Sequence, residues 1–114
     1  MEIKVVVIPS DEDEPLTMRE LEQGNLRAMQ EIVGGLIEFT DIPAANASLV
    51  SNEEGLIYGL PLNARATAIL HTFAPIHTGH TILVGDCFIC GLPDRDGDTQ
   101  SVPDNLLKML DLEP

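Results

Sequence analysis

One stretch near the middle of the chain, residues 46–63, constrains the fold more than any other. It has the sequence NASLVSNEEGLIYGLPLN. ASLVS predicts a strand, and NEEG predicts a turn in which Gly55 can take a positive φ. LIYG then predicts a returning strand in a hairpin, and Asn63 is a natural N-cap for a helix. Strand, turn, strand and helix start are therefore expected in close succession.

Further predicted strands and helices flank this stretch. Residues 3–9 are continuously apolar and β-branched, which is typical of a strand buried on both faces. Residues 24–35 carry an apolar stripe at helical spacing and end in two glycines, which favour a helix C-terminus. Residues 16–22 favour an edge strand over a short helix. Strands are also predicted at 36–43 and 81–91, and helices at 60–73 and 101–110.

These elements predict one α+β domain over residues 1–114. The sheet should be mixed and mostly antiparallel, with about five strands and with two or three helices packed on it. The length of 114 residues suits a single domain with a core of its own. Gly85 inside the last strand predicts a bulge or a close backbone neighbour. Ser101 and Asp104 resemble a capping box at the start of the final helix.

The charge of the chain limits its partners. Nineteen Asp and Glu against six Lys and Arg give a net charge of −13, beyond the ~2–8 usual for a small domain. Such a charge repels nucleic acid and anionic membranes, so direct binding to either is not expected. It favours cations and partner proteins with a basic surface. Solubility alone is the simpler explanation of the same charge.

Targeting signals and membrane spans are not expected. The apolar run at the N-terminus is too short for a secretory signal, and no stretch approaches the ~18 apolar residues of a membrane span. Two cysteines without such a signal indicate reduced thiols. A cytoplasmic location is therefore predicted.

Four motifs in a fixed order carry a family resemblance. They lie in EIVGGLIEF, SNEEGLIYGLPLNARATAILHTF and ILVGDCFICG. This order resembles the domain-of-unknown-function family 3846, a family of small phage and mobile-element proteins. The resemblance covers about residues 3–92, and the predicted C-terminal helix at about 102–111 follows it. ARATAILHTFAP is most similar to versions from phages of actinobacteria.

The resemblance implies a phage or prophage product in a bacterial host cytoplasm. It implies no activity, no catalytic residue and no cofactor.

A zinc-stabilised domain is one alternative, because two His and two Cys are a common structural zinc ligand set. The candidates are His77, His80, Cys87 and Cys90. However, residues three apart in a strand point to opposite faces, so Cys87 and Cys90 should not converge without a bulge. Buried cysteine acting as a small apolar residue is the favoured interpretation, and no metal is favoured.

Two other patterns are weak. Asp94, Asp96 and Asp98 have the spacing that begins a calcium loop, but a solvated acidic turn is favoured. His71 with Cys87 or Ser51 could form a base and a nucleophile, but no motif orients them. An enzyme is therefore not predicted.

The strongest candidate for a binding surface lies in the 52–65 region, where polar groups gather beside a predicted helix N-terminus. Turn and cap roles explain the same residues without any ligand. Arg65 is the best-placed basic residue for an anion, because the helix dipole favours negative charge there. The candidates are Asn52, Glu53, Glu54, Tyr58, Asn63 and Arg65.

The favoured hypothesis is a non-enzymatic phage accessory protein that binds a host protein through an acidic surface. The partner would carry a basic surface, for example a nucleic-acid-binding groove. The alternative is a protein that binds a small, nucleotide-like ligand through the 52–65 region. The edge strand at 16–22 could also pair with a copy of itself and form a homo-oligomer.

Overall fold

Five strands form one antiparallel sheet in the computed structural model, which describes residues 1–112. The apolar run near the N-terminus and the CFIC segment form its inner part, because both are buried on both faces. The strands are β1 (Glu2–Ile8), β2 (Thr17–Glu22), β3 (Ile37–Ile42), β4 (Ala47–Asn52) and β5 (Cys87–Gly91). Their order across the sheet is β2-β1-β5-β4-β3, so β5 is central and β2 and β3 are the edges.

Three helices cover the two faces of the sheet. They are α1 (Leu26–Val33), α2 (Ala64–Phe73) and α3 (Asp104–Met109). α1 buries Met29 and Val33 on one face, in the cluster that contains Phe88. α2 and α3 bury apolar side chains on the other face, in the cluster that contains Ile89. The alternation of side chains along each strand thus produces two cores, one on each side of the sheet.

The helix ends follow the predicted capping. The side chain of Asn25 accepts a hydrogen bond from the N–H of Ala28 at 3.1 Å, and Gly34 ends α1 with a φ of +78°. Asn63 caps α2 in the same way. The predicted α+β class, the mostly antiparallel sheet and the strand at 16–22 are confirmed.

The predicted return strand at LIYG is wrong. Residues 53–59 form consecutive turns, and the neighbours of β4 in the sheet are β3 and β5. Because both edges of β4 are already paired, residues 56–59 have no free strand edge beside which to run. β4 instead forms its hairpin with β3, through a short 3-10 turn at Pro43–Ala45.

The predicted capping box at Ser101 is also wrong. The Ser101 hydroxyl accepts a hydrogen bond from the N–H of Lys4, and the N–H of Val102 donates to the Lys4 carbonyl. These bonds attach the segment to β1, so Pro103 occupies the N-cap position of α3 without a side-chain bond.

The last strand begins later than predicted. β5 starts at Cys87, because Gly85 has a φ of +73° and leaves the ladder. The close neighbour that a Cβ at Gly85 would meet is a side chain, Cδ1 of Leu60 at 2.7 Å, and not the predicted backbone.

Candidate acidic and apolar binding surface

Four connecting segments meet at one end of the sheet, where β1 and β4 end and where β2, β3 and β5 begin. None of these segments contains Lys or Arg. The segments are residues 9–16, 34–36, 53–63 and 78–86. We call this part of the molecule the acidic end, because its loops carry Asp11, Glu12, Asp13, Glu14, Glu53, Glu54 and Asp86.

The turn after β4 is held by its own backbone and by Asn52. The Asn52 side-chain oxygen accepts from the N–H of Glu54 at 2.8 Å. The N–H of Tyr58 donates to the Glu54 carbonyl, and the N–H of Leu60 donates to the Gly55 carbonyl, both at 3.0 Å. Gly55 is buried, and a Cβ there would lie 2.7 Å from Val84. The loop is therefore a hydrogen-bonded unit packed on the domain.

Three consecutive apolar side chains project from this loop. Leu56, Ile57 and Tyr58 are 69%, 80% and 65% exposed. We call these three residues the apolar tip. Scattered exposed apolar residues are ordinary, but a contiguous group on an ordered loop indicates a contact surface.

Two cavities lie at the acidic end, and one of them reaches the apolar tip. One, of about 180 Å³, is lined by Leu56 and Ile82 together with the acids Glu38 and Glu53. The other, of about 310 Å³, brings Ser10, Pro61 and Asp86 together from three different loops. Apolar and acidic groups therefore share one surface.

Two of the predicted site residues have structural roles instead. Asn63 is fully buried, and its side-chain N–H groups donate to the carbonyls of Ile8 at 2.8 Å and Gly85 at 2.9 Å. Its oxygen accepts from the N–H of Ala66. Asn52 is buried and donates to the Val33 carbonyl. Both amides are thus bonded to the protein's own backbone.

Arg65 also bonds to the protein's own backbone, through one terminal nitrogen, while its buried Nε has no partner among residues 1–112. Its guanidinium donates to the carbonyls of Pro9 at 2.7 Å and Asp11 at 3.0 Å, which fixes the β1–β2 loop on α2. The predicted residues Glu53 and Tyr58 are exposed and Glu54 is half-buried, so these three belong to the surface of the acidic end. Leu56 and Ile57 were missed, because a strand was predicted where they lie.

The four His and Cys candidates do not come together. Cys87 belongs to the core on the α2 side of the sheet and Cys90 to the core on the α1 side. His77 bonds through Nδ1 to the Thr81 hydroxyl at 3.0 Å, and His80 is exposed. The alternating strand faces therefore keep the two thiols apart, as expected from their spacing.

The catalytic pair considered from the sequence is not assembled. His71 Nε2 bonds to the Thr81 carbonyl at 2.8 Å, and the Cys87 thiol donates to the Gly85 carbonyl at 3.4 Å. Ser51 is buried in β4.

The acidic turn predicted at 94–98 is present at the opposite end of the sheet. The carboxylate oxygens of Asp94, Asp96 and Asp98 lie within 4.8 Å of one another and are exposed. Asp94 accepts from the N–H groups of Asp96 and Asp98, at 2.9 Å and 3.0 Å. These bonds shape the turn.

The buried thiols allow a first prediction. Burial raises the pKa of both Cys87 and Cys90 from 9.0 to about 12. We expect the folded protein not to react with a thiol reagent at pH 8, and the urea-unfolded protein to react at both cysteines, as counted from reagent absorbance. Rapid labelling of the folded chain would contradict this burial.

The same pKa shift predicts how the free energy of unfolding changes with pH. Above pH 9 the unfolded thiols lose protons while the folded ones keep them, so the free energy of unfolding should fall as pH rises from 9 towards 12. The slope is at most about 1.4 kcal/mol per pH unit for each thiol.

The fold and this surface define a small α+β domain with an acidic end that presents apolar side chains on a hydrogen-bonded loop. The chain belongs to the family described as Domain of unknown function (DUF3846), whose family model matches residues 3–112. The match extends beyond residue 92 and includes α3. None of the curated proteins compared with the chain is significantly similar to it.

One solved structure has the same fold. It is described as "Crystal structure of small RNA methyltransferase HEN1", with a TM-score of 0.65 and 17% sequence identity. The alignment covers 96% of this chain but 16% of that one, so the likeness concerns the fold of one part of a larger protein. No helix in residues 1–112 combines the length and the apolar character needed to span a membrane.

Proposed function

We propose that this protein is a non-enzymatic accessory protein that binds a partner protein through its acidic end. In a phage setting the partner is a host protein in the bacterial cytoplasm. The observation that carries the proposal is the apolar tip, which is held on a hydrogen-bonded loop and whose Leu56 shares a cavity with the acids Glu38 and Glu53. Apolar anchors within a charged rim are the usual anatomy of a protein–protein contact.

The charge of the acidic end supports a partner with a basic surface. The loops of the acidic end carry seven acidic residues and no Lys or Arg, and the nearby Arg65 guanidinium is bonded to backbone carbonyls. A surface of this kind complements a basic patch and accelerates encounter with it. A basic groove that normally holds nucleic acid fits this description.

The nucleotide-like ligand receives less support. A phosphate needs several free donors, but Asn63 uses both N–H groups of its amide on backbone carbonyls, and Asn52 and Arg65 are partly engaged in the same way. The surrounding acids would also repel an anion.

The test is capture from host lysate at low salt, followed by titration of the purified partner. Ile57→Ser with Tyr58→Ser should weaken binding at least ~30-fold, because losing exposed anchors costs about 2 kcal/mol or more. Wild-type affinity should also fall as salt is raised, because the carboxylates are exposed and screened. Isothermal titration calorimetry measures both effects.

The matched control is Ile76→Ser. Ile76 is 82% exposed and follows the C-terminal end of α2, away from the apolar tip. This variant should bind as the wild type does. The proposal fails if no basic protein is captured, if Ile57→Ser with Tyr58→Ser binds normally, or if salt leaves the affinity unchanged.

A further inference from the structure

The ladder between β3 and β4 determines which residues of β3 turn their backbone N–H and C=O groups to the free edge. The N–H of Glu53 donates to the Leu36 carbonyl at 2.8 Å, and these two residues extend the register that pairs Ile37 with Asn52. In an antiparallel ladder the bonded pairs alternate. Glu38, Thr40 and Ile42 therefore direct their backbone groups to β4. Ile37, Phe39 and Asp41 direct theirs away from the sheet, where the described chain places no further strand.

We propose that two copies of this chain form a dimer by antiparallel pairing of β3 with β3. Opposed residues in an antiparallel pair point to the same face of the sheet. A two-fold axis normal to the sheet must therefore place odd-numbered residues opposite odd-numbered ones and even-numbered residues opposite even-numbered ones. Centring the axis on Phe39 meets this condition. Phe39 then lies opposite Phe39 of the second copy, and Ile37 lies opposite Asp41 of the second copy. All three outward residues of each β3 obtain backbone partners.

The side chains of β3 suit this register. Phe39 is 44% exposed, and pairing would cover it with its own copy as an aromatic cross-strand pair. Glu38 faces Thr40 of the second copy. The carboxylate of Asp41 already accepts a hydrogen bond from the Ser48 hydroxyl. No two like charges lie directly opposite one another in this arrangement.

The other edge is a poorer candidate, although 16–22 was the segment first considered from the sequence. The N–H of Gln23 donates to the Met1 carbonyl, so the outward residues of β2 are Met18, Glu20 and Glu22. A two-fold axis on Arg19 or Glu20 opposes that residue to its own copy, and an axis on Leu21 opposes Glu20 to Glu22. Such like-charge pairs are destabilising. An axis on Met18 avoids them but pairs only residues 17–19 of the strand, so β3 is the better edge for pairing with itself.

Salt separates this dimer from the partner contact. Each copy carries a net charge of −13, so screening reduces the repulsion between copies and should tighten the dimer. Binding of a basic partner at the acidic end should weaken under the same change. The two proposals can therefore fail independently.

Cysteine cross-linking tests the register. Hydrogen-bonded antiparallel pairs have Cα atoms ~5.5 Å apart, inside the ~4.4–6.8 Å range of disulfides. Phe39→Cys should therefore give a disulfide-linked dimer on mild oxidation at high salt. Thr17→Cys, an exposed position on the other edge strand, should remain monomeric. Cys87 and Cys90 are buried and do not interfere.

Sedimentation equilibrium and hydrogen exchange on the unmodified chain complete the test. The expected result is a dimer that tightens with salt, with amides of Ile37, Phe39 and Asp41 slowed on dimerisation while those of Glu38 and Thr40 are slow in both states. Phe39→Asp should yield a monomer, and Thr17→Asp, with the same added charge, should not. A wild-type monomer at high protein and salt, or equal cross-linking of the two cysteine variants, would overturn the proposal.

Discussion

Asn63→Leu should lower the free energy of unfolding by about 3–5 kcal/mol, one of the two largest effects expected from a single substitution in this chain. The Asn63 amide is fully buried and donates to the carbonyls of Ile8 and Gly85. Leucine would remove the amide donor from both carbonyls, at about 1–3 kcal/mol each, and the Gly85 carbonyl would keep only the weak Cys87 thiol donor. It would also remove the cap that accepts from the N–H of Ala66, at about 1 kcal/mol.

Urea unfolding followed by circular dichroism measures this loss. The comparison is Asn25→Ala, which removes the corresponding cap of α1, where the Asn25 side chain bonds Ala28 at an exposed position. That variant should lose only about 1 kcal/mol. If Asn63→Leu costs no more than Asn25→Ala, the Ile8 and Gly85 carbonyls do not depend on the Asn63 amide.

Asn63 also shows how much a sequence can reveal about this fold. Its role as an N-cap was predictable, because capping depends on residues within one helical turn. Its bonds to Ile8 and Gly85 join three segments that are distant in the chain, and no local pattern indicates them. The helices and most of the strands could be predicted from the sequence for the same reason, since periodicity and caps are local properties.

The return strand at LIYG was predicted wrongly for the opposite reason. Its turn residues and its composition suit a hairpin, but the pairing of β4 is decided by β3 and β5. Because β3 and β5 occupy both edges of β4, Leu56 and Ile57 lie on the surface and not in a strand. The location of the candidate surface was thus predicted from turn chemistry, while its apolar character emerged only with the sheet order.

The second large loss of stability is expected from a substitution at Gly91, where the end of β5 contacts the backbone of another segment. Gly91 lies against the Ser101 carbonyl so closely that an added Cβ would overlap it. The Gly91 N–H also donates to the Gln100 carbonyl at 2.8 Å. Any side chain at this position must push the 100–102 segment away, because a backbone oxygen cannot rotate aside as a side chain can.

Gly91→Ala should therefore lower the free energy of unfolding by about 3 kcal/mol, from overpacking and from the lost bonds of the displaced segment. Displacement would break the bond from the Val102 N–H to the Lys4 carbonyl, so that amide should exchange faster with solvent.

Gly79→Ala is the control: nothing lies within 4 Å of a Cβ there, and its φ of +81° adds only about 1–2 kcal/mol. Equal losses for the two variants, or an unchanged Val102 amide, would show that the segment adapts. A larger loss at Gly91 with faster exchange at Val102 would show that α3, which buries Leu106 and Leu107 in the core beside α2, is held to the sheet through this contact.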